Sequence, residues 1–561
     1  MHLYGLIIII PVLSVFLITA CTAPETDDQI NEITISRVWV SDNGDGTYTN
    51  PILHADYSDP DVVKVGEDFY MTSSSFQVSP GLPLLHSKDL VNWDLINHAL
   101  PKVTPVDHFR IPRHGDGVWA PSIRYHNDEF YIYWGDPDFG IYMVKTDDPA
   151  GEWEEPVLVK AGQGLIDPSP LWDDDGRAYL VYAYARSRSG INTVLVVQEM
   201  KPEGTGMIGD PVLAFDGHDG HRVVEGPKFH KRGDYYYILA PAGGVTYGWQ
   251  LAMRSKDVFG PYEEKVVLHQ GSTDINGPHQ GGLVNLDSGE SWFVHFQDRY
   301  AYGRIVHLNP VEWVDDWPMM GVDKEGDGIG EPVRTYRKPN VSARYTPVVT
   351  PPESDEFDSR KLGLQWQWHG NPEPTWALTS QMGILRLYGK ELPVDYVSLW
   401  DVPNLLLQKF PAPEFRATTR FSFTPHMNGE RAGLVIMGED YTNIAVVQTS
   451  EGLFITQSTA IGADDGEPEQ ENERVQVDSR DLWFRVDVRD GGESQFSYST
   501  DGNNFILIGE SFTAKEGRWI GAKVGLFCNQ PRDGEPDDYH EYGGRHYGFA
   551  DFDWFRVTPV E

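Results

Sequence analysis

At 561 residues the chain is too long for one ordinary core, and two to three domains are expected. Its 84 acidic against 45 basic side chains give a formal charge of -39, which repels phosphate backbones and excludes nucleic acid as a partner. That charge otherwise reads as a solubility feature, while 17 Trp, 27 Tyr and 25 Phe beside 56 Gly and 39 Pro suit many short strands joined by tight turns.

In chain order, an apolar run over residues 3–17 is too short to span a bilayer and sits where an export signal belongs. It ends in Leu17-Ile18-Thr19-Ala20-Cys21, which resembles a bacterial lipobox, although no Lys or Arg precedes the run. The expectation is a signal peptide over 1–20, acylation of Cys21, and an exported protein anchored to a bacterial membrane. Cys528 is then the one remaining thiol, so no internal disulfide is expected. Residues 21–48 are polar and read as a tether.

From residue 49 a unit recurs: a short polar motif, an apolar stretch, an acidic or Gly turn, then an aromatic strand. The polar motifs are Asp59-Pro60, Trp119-Ala120-Pro121, Asp167-Pro168, Glu225-Gly226-Pro227 and Gly277-Pro278-His279. Five units spaced by roughly 50 to 60 residues match four-stranded propeller blades and predict a five-bladed β-propeller over 49–344. A Pro-rich connector covers 345–354. Beyond it, segments 415–423, 432–437, 444–448, 482–488, 495–498 and 552–557 read as strands of a β-sandwich over 355–561. The fold class is therefore all-β, a propeller followed by a sandwich.

A propeller brings the inner strands of its blades to one axis, so matched polar residues converge on one funnel. The matched points are read as Asp59, Asp167 and Glu225. Three carboxyls in one cavity repel, which raises at least one pKa and separates an acid from a base. Hydrolysis of a glycosidic bond needs such a pair. Each Asp-Pro alone would be an ordinary turn; their recurrence at matched points argues for a site. Asp173-Asp174-Asp175-Gly176 is read as a hairpin turn, and the loop from Asp323 as a turn, because Arg334 stands where an EF-hand needs glutamate. No dinucleotide fingerprint, Walker loop or Cys/His zinc cluster is evident in the sequence.

Jointly, Asn50-Pro51-Ile52-Leu53, Tyr57-Ser58-Asp59-Pro60-Asp61-Val62, Val118-Trp119-Ala120-Pro121-Ser122, Ile166-Asp167-Pro168-Ser169, Glu225-Gly226-Pro227 and Asn276-Gly277-Pro278-His279-Gln280-Gly281 resemble glycoside hydrolase family 43. The likeness runs from about Asn50 to Lys338, and the following sandwich resembles the concanavalin-like C-terminal domain of the β-xylosidase branch. The resemblance implies Asp59 as general base, Glu225 as general acid and Asp167 as the carboxylate that tunes and orients the acid. It implies inversion at the anomeric carbon, exo-release of terminal xylose from hemicellulose oligosaccharides, and a sandwich that helps close one end of the funnel. No cofactor is implied for the chemistry. His279 matches an axial position beside a calcium ion or water, and Arg304 matches an arginine that binds sugar hydroxyls, with a structural salt bridge as its other reading. Phe76 and Trp119 are read either as sugar-facing walls or as core. Main activity on α-L-arabinofuranosyl groups is the nearest alternative; a non-catalytic surface glycan-binding lipoprotein is the alternative of another class.

Overall fold

The structure is a computed structural model that describes residues 35–380, 383–532 and 547–560. The signal expected at 1–20, the lipidation expected at Cys21 and the first part of the expected tether fall on residues outside those described. Residues 35–48 correct the tether reading: despite their polar composition they pack on the folded body. Ser36 Oγ donates to Glu353 at 2.8 Å, Trp39 Nε1 donates to Pro51 O at 3.2 Å, and Asp42 pairs with Lys338 at 2.6 Å. Strand Thr47–Thr49 pairs with Thr335–Arg337.

Five four-stranded antiparallel sheets follow, each in chain order from the axis outward. Their innermost strands start the blades at Asp61–Val65, Trp119–His126, Leu165–Trp172, Lys228–Arg232 and His279–Asn285. The second strands carry the aromatic segments expected from the sequence, for example Ala178–Tyr184. That strand shows why these segments are apolar at every position. Tyr179, Val181 and Ala183 face the fourth blade, where Phe229, Ile238 and Leu251 meet them. Ala178, Leu180 and Tyr182 face the second, against Tyr133, Ile141 and Met143. A blade buried on both faces loses polar alternation. Further apolar layers fill the remaining interfaces, and the layer joining Phe69 and Leu85 of blade one to Trp292 and Val294 of blade five closes the ring.

The C-terminal part is two packed sheets. One has the order Gln367–Trp368, Leu406–Lys409, Lys523–Gln530, Arg431–Met437, Tyr441–Thr449, Gly452–Ala460, Gln470–Val477, with Lys390–Glu391 beside the third of these. The other runs Ala377–Ser380, Ile384–Tyr388, Phe549–Thr558, Phe415–Thr424, Asp481–Arg489, Glu493–Ser499, Ile506–Thr513. Several of these strands escape sequence reading. Gln470–Val477 is an exposed edge with a charged composition, so hydrophobic patterning gives no signal there. The sandwich core takes in Ala301, Tyr302 and Ile305 of blade five, so the two domains share one apolar cluster. Backbone pairing between Ser79 and Trp368, and Asn371 Nδ2 donating to Val103 O at 2.8 Å, fasten the sandwich to blade one.

Candidate active site

Each blade enters the axis through one residue with a left-handed backbone. These are Asp59 (φ 54), Ala120 (φ 36), Asp167 (φ 56), Gly226 (φ 59) and Gln280 (φ 43). Four of the five are not glycine, a strained choice that costs on the order of 1–3 kcal/mol each and persists only where the surroundings enforce it. In blades two, three and five the ladder slips register at this point, between Trp119 and Ser122, Ile166 and Ser169, and His279 and Gly281. The bulge turns side chains off the sheet and into the funnel.

This geometry corrects the matching read from sequence. Asp59 and Asp167 occupy the left-handed position itself, but Glu225 stands one residue before it, in register with Trp119 and His279. In blades one to four a proline follows the left-handed residue, so Pro227 puts Gly226, not Glu225, level with Asp59 and Asp167; blade five has Gly281 there, and its Pro278 belongs to the preceding loop. The sequence-read residues nevertheless converge. Asp59, Phe76, Trp119, Asp167, Glu225, His279 and Arg304 all line one open cavity.

Asp59 is the most heavily supported of the carboxyls. Its Oδ2 accepts from Ser74 Oγ at 2.6 Å and Ser58 Oγ at 2.9 Å, and Arg304 Nη1 reaches both carboxylate oxygens at 3.3 Å. Arg304 Nη1 also donates to Ser58 Oγ at 2.8 Å, and its guanidinium lies over the Phe296 ring. Arg304 thus makes the ion pair of its second reading, with Asp59 as partner, and does so inside the cavity. Asp167 Oδ2 accepts the backbone N–H of Gly226 at 2.7 Å, which links the third carboxyl to the residue after Glu225. A side chain at Gly226 would press into the buried Gln280, so here space adds to the backbone's preference for glycine.

Burial, then the charges of Asp167 and Asp59, push the Glu225 carboxyl well above the ordinary range, with Arg304 opposing. Asp167 is also raised, first by burial and then by Asp59, against the pull of the Gly226 N–H, Lys228 and Arg304. Glu225, whose proton burial favours, therefore shares one cavity with Asp59, which accepts from two serines and pairs with Arg304, and two carboxyls in such different surroundings are what paired acid and base catalysis needs.

His279 is buried, with Nε2 3.7 Å from Glu225 Oε1 and neither ring nitrogen hydrogen-bonded among the described residues. Burial and then Arg304 lower its pKa to about 3, so the ring is neutral. Calcium takes six to eight oxygen ligands. His279 offers nitrogen beside the Phe296 ring, and no group of three His, Cys, Asp or Glu suited to a metal occurs among the described residues. The side chains present do not fit direct calcium coordination.

Phe76 and Trp119 meet edge to face at 6.5 Å on one wall. The opposite side of Trp119 meets Trp519 at 6.4 Å, a residue of the sandwich that lines the same cavity. Sequence reading does not find Trp519, because its loop carries no repeat and its approach depends on a close fit: a Cβ at Gly115 would meet Arg518 Cγ at 2.6 Å and Trp519 Cδ1 at 2.9 Å. Ser58 and Ser74 are missed for another reason, as serines near turns carry no distinguishing signal.

Known proteins share these parts. Residues 48–318 match Glycosyl hydrolases family 43, and residues 354–558 match the Beta xylosidase C-terminal Concanavalin A-like domain. A Xylanibacter ruminicola protein bearing a provisional beta-xylosidase name is 38% identical over 490 residues, 86% of each chain. A Bacteroides ovatus non-reducing end alpha-L-arabinofuranosidase is 34% identical over 414 residues, 70% of this chain and 74% of its own. The crystal structure of a xylan beta-1,4-xylosidase from Bacillus halodurans C-125 aligns with a TM-score of 0.78 at 25% identity, covering 91% of this chain and 99% of that one. The propeller and the sandwich thus match consecutive parts of one architecture, with the three carboxyls inside the matched catalytic part, and the chain belongs to glycosyl hydrolases family 43.

Proposed function

We propose that the chain is an inverting, exo-acting β-xylosidase that releases terminal xylose from xylan-derived oligosaccharides. The observation that carries the reading is the convergence of Asp59, Asp167 and Glu225 on one cavity walled by Phe76, Trp119 and Trp519. The terminal sugar sits against the aromatic wall with its hydroxyls toward Arg304, whose planar fork of donors suits vicinal oxygens. Glu225, protonated, gives its proton to the glycosidic oxygen as the C1–O bond breaks. Asp59 takes a proton from a water that attacks C1 from the opposite face, so the new C1–O bond has inverted configuration. Asp167 keeps the proton on Glu225 between turnovers and fixes the turn that carries it. No step runs through a metal.

The xylosidase names of relatives support the sugar assignment. α-L-Arabinofuranosyl side groups are the alternative substrate, since both pentoses present similar hydroxyl patterns, but the arabinofuranosidase relative is 34% identical against 38% for the relative with a xylosidase name. A non-catalytic glycan-binding role would tolerate loss of Asp59 or Glu225, and the chain keeps both. We further propose that export and acylation of Cys21 anchor the enzyme to a bacterial membrane. Metabolic labelling with an alkyne fatty acid, lost in Cys21→Ala, tests the anchor.

The functional test is release of p-nitrophenol from the β-D-xylopyranoside and the α-L-arabinofuranoside by the intact enzyme, Glu225→Ala and Asp59→Ala. Activity that collapses in both variants supports the roles, and the ratio of substrates selects the sugar. Proton NMR of the first-formed xylose should show the α anomer. Wild-type inactivity on both glycosides, or β-xylose as first product, overturns the reading.

A further inference from the structure

Two residues beyond each left-handed turn, where strand alternation brings side chains back to the axis, stand Asp61, Ser122, Ser169, Lys228 and Gly282. They form the layer under the floor of the funnel. Lys228 is wholly buried there, and among the described residues no carboxylate lies within ion-pair distance of its Nζ. It donates instead to Pro121 O at 2.8 Å and Ser122 Oγ at 3.0 Å, both in blade two. The other charges of the layer are already matched: Asp61 pairs with Arg124 at 2.6 Å, and Arg124 goes on to Ser169 Oγ at 2.8 Å.

The contacts of Lys228 form part of a path between acid and base. On one side, Gly226 N–H holds Asp167 and fixes the turn that presents Glu225. On the other, the residue before Pro121 is Ala120, whose N–H donates to Ser74 Oγ at 2.7 Å, and Ser74 donates in turn to Asp59. Blades two and four have no ladder between them, and Lys228 spans that gap.

Charge gives a second, independent argument. With Asp61 and Arg124 cancelling, three carboxyls, Asp59, Asp167 and Glu225, stand over two buried cations, Arg304 and Lys228, while a third cation, Arg186, lines the cavity from an exposed position. His279 is neutral, and His230 beside Lys228 is lowered to about 3 by burial and then by Arg124. The buried cations are thus outnumbered by the carboxyls, and both Asp167 and Glu225 are raised above the ordinary carboxylate range by burial and by their negative neighbours. Burial and Arg124 draw the Lys228 ammonium down, while Asp61, Asp167 and Asp59 hold it up.

We propose that Lys228 is a positioning residue for hydrolysis, whose ammonium fastens the turn carrying Glu225 to the turn supporting Asp59 and supplies the second positive charge beneath the three carboxyls. The inference rests on the acid and base roles proposed above. It has two separable parts, a tether and a charge, and Lys228→Met removes both at nearly constant length, whereas Lys228→Gln keeps a donor without the charge.

The experiment is the pH profile of kcat and KM for both variants and wild type on the p-nitrophenyl glycoside that wild type cleaves, with thermal melts alongside. Lys228→Met is expected to lower kcat by about a hundredfold through misplacement, with KM within threefold. Its profile should move to higher pH by about one unit, because removing a cation makes each carboxyl harder to ionise. Lys228→Gln should recover most of kcat yet keep the displaced profile. A kcat loss in both variants that follows a fall in Tm with no displacement makes Lys228 merely structural and overturns the proposal, as does failure of both variants to fold. Unchanged kcat and profile in Lys228→Met also overturn it. Inactive wild type instead defeats the functional reading itself, so the two failures are distinguishable.

Discussion

Asp56 of the propeller accepts the backbone N–H of Gly521 of the sandwich at 3.0 Å, while its other oxygen accepts the N–H of Arg304 at 2.9 Å. One buried carboxylate therefore fixes both the arginine that holds Asp59 and the sandwich loop that carries Trp519 two residues earlier. The approach is tight: a Cβ at Gly303 would meet Asp56 Cγ and Gly521 N, both at 2.6 Å. The second domain is thereby part of the site's construction.

Asp56→Ala leaves two buried N–H groups without acceptors, at a cost of about 1–3 kcal/mol each. The variant is expected to melt several degrees lower and to lose at least tenfold in kcat/KM, as Arg304 and the Trp519 loop loosen together. A melt and a kinetic run on the same preparation check it; unchanged kcat/KM with lowered Tm would show that the loop holds without Asp56.

Trp519→Ala removes the sandwich's aromatic face from the cavity. Aromatic contacts of this kind are worth about 0.5–1.5 kcal/mol beyond the area buried, so kcat/KM should fall about tenfold or more. Trp519→Phe should restore most of it. Because Trp519 is partly exposed, the Tm of both variants should stay near wild type.

How much of this was legible in the sequence follows from where the repeat speaks. The five units, the all-β class and the carboxyls Asp59, Asp167 and Glu225 stand in phrases that recur. Prolines following Asp59, Ala120, Asp167 and Gly226 mark those phrases, each one residue after the left-handed position, whereas matching the units by their carboxyls puts Glu225 one position out of register. Ser74 and Asp56 act through hydrogen bonds to distant backbone, and Trp519 reaches the funnel from another domain. Such contacts lie between segments hundreds of residues apart or in unpatterned loops, where periodicity carries no information.

Gly226→Ala tests the strained turn. Its φ of 59 disfavours alanine, and the added methyl would displace the buried Gln280 side chain. Folding should weaken by about 1–2 kcal/mol, and Glu225 should be misaligned, with kcat lowered about a hundredfold. By contrast, alanine at the open, exposed Gly176 turn should melt lower without changing kcat, which separates strain at the site from strain elsewhere.

Asp167 couples catalysis to stability. In the proposed mechanism Glu225 works protonated, and burial with the charges of Asp167 and Asp59 holds its pKa well above the ordinary carboxylate range. Activity should therefore persist above that range and fall as pH rises through the raised pKa. Asp167→Asn removes one negative neighbour while its amide oxygen still accepts from Gly226, so Glu225 ionises more readily and the alkaline limb should move down, by roughly one unit. Stability runs the other way. Carboxyls raised on folding contribute stability that is complete below their unfolded pKa and is lost as pH rises through the folded value. Asp167→Asn has one such group fewer and relieves the other, so its Tm should exceed that of wild type at alkaline pH, with a smaller difference in acid. A profile and a pair of melts at two pH values read both effects. An alkaline limb that stays in place would mean that Asp167 does not set the proton on Glu225, and a Tm gain without that shift would leave its charge a burden on the fold alone.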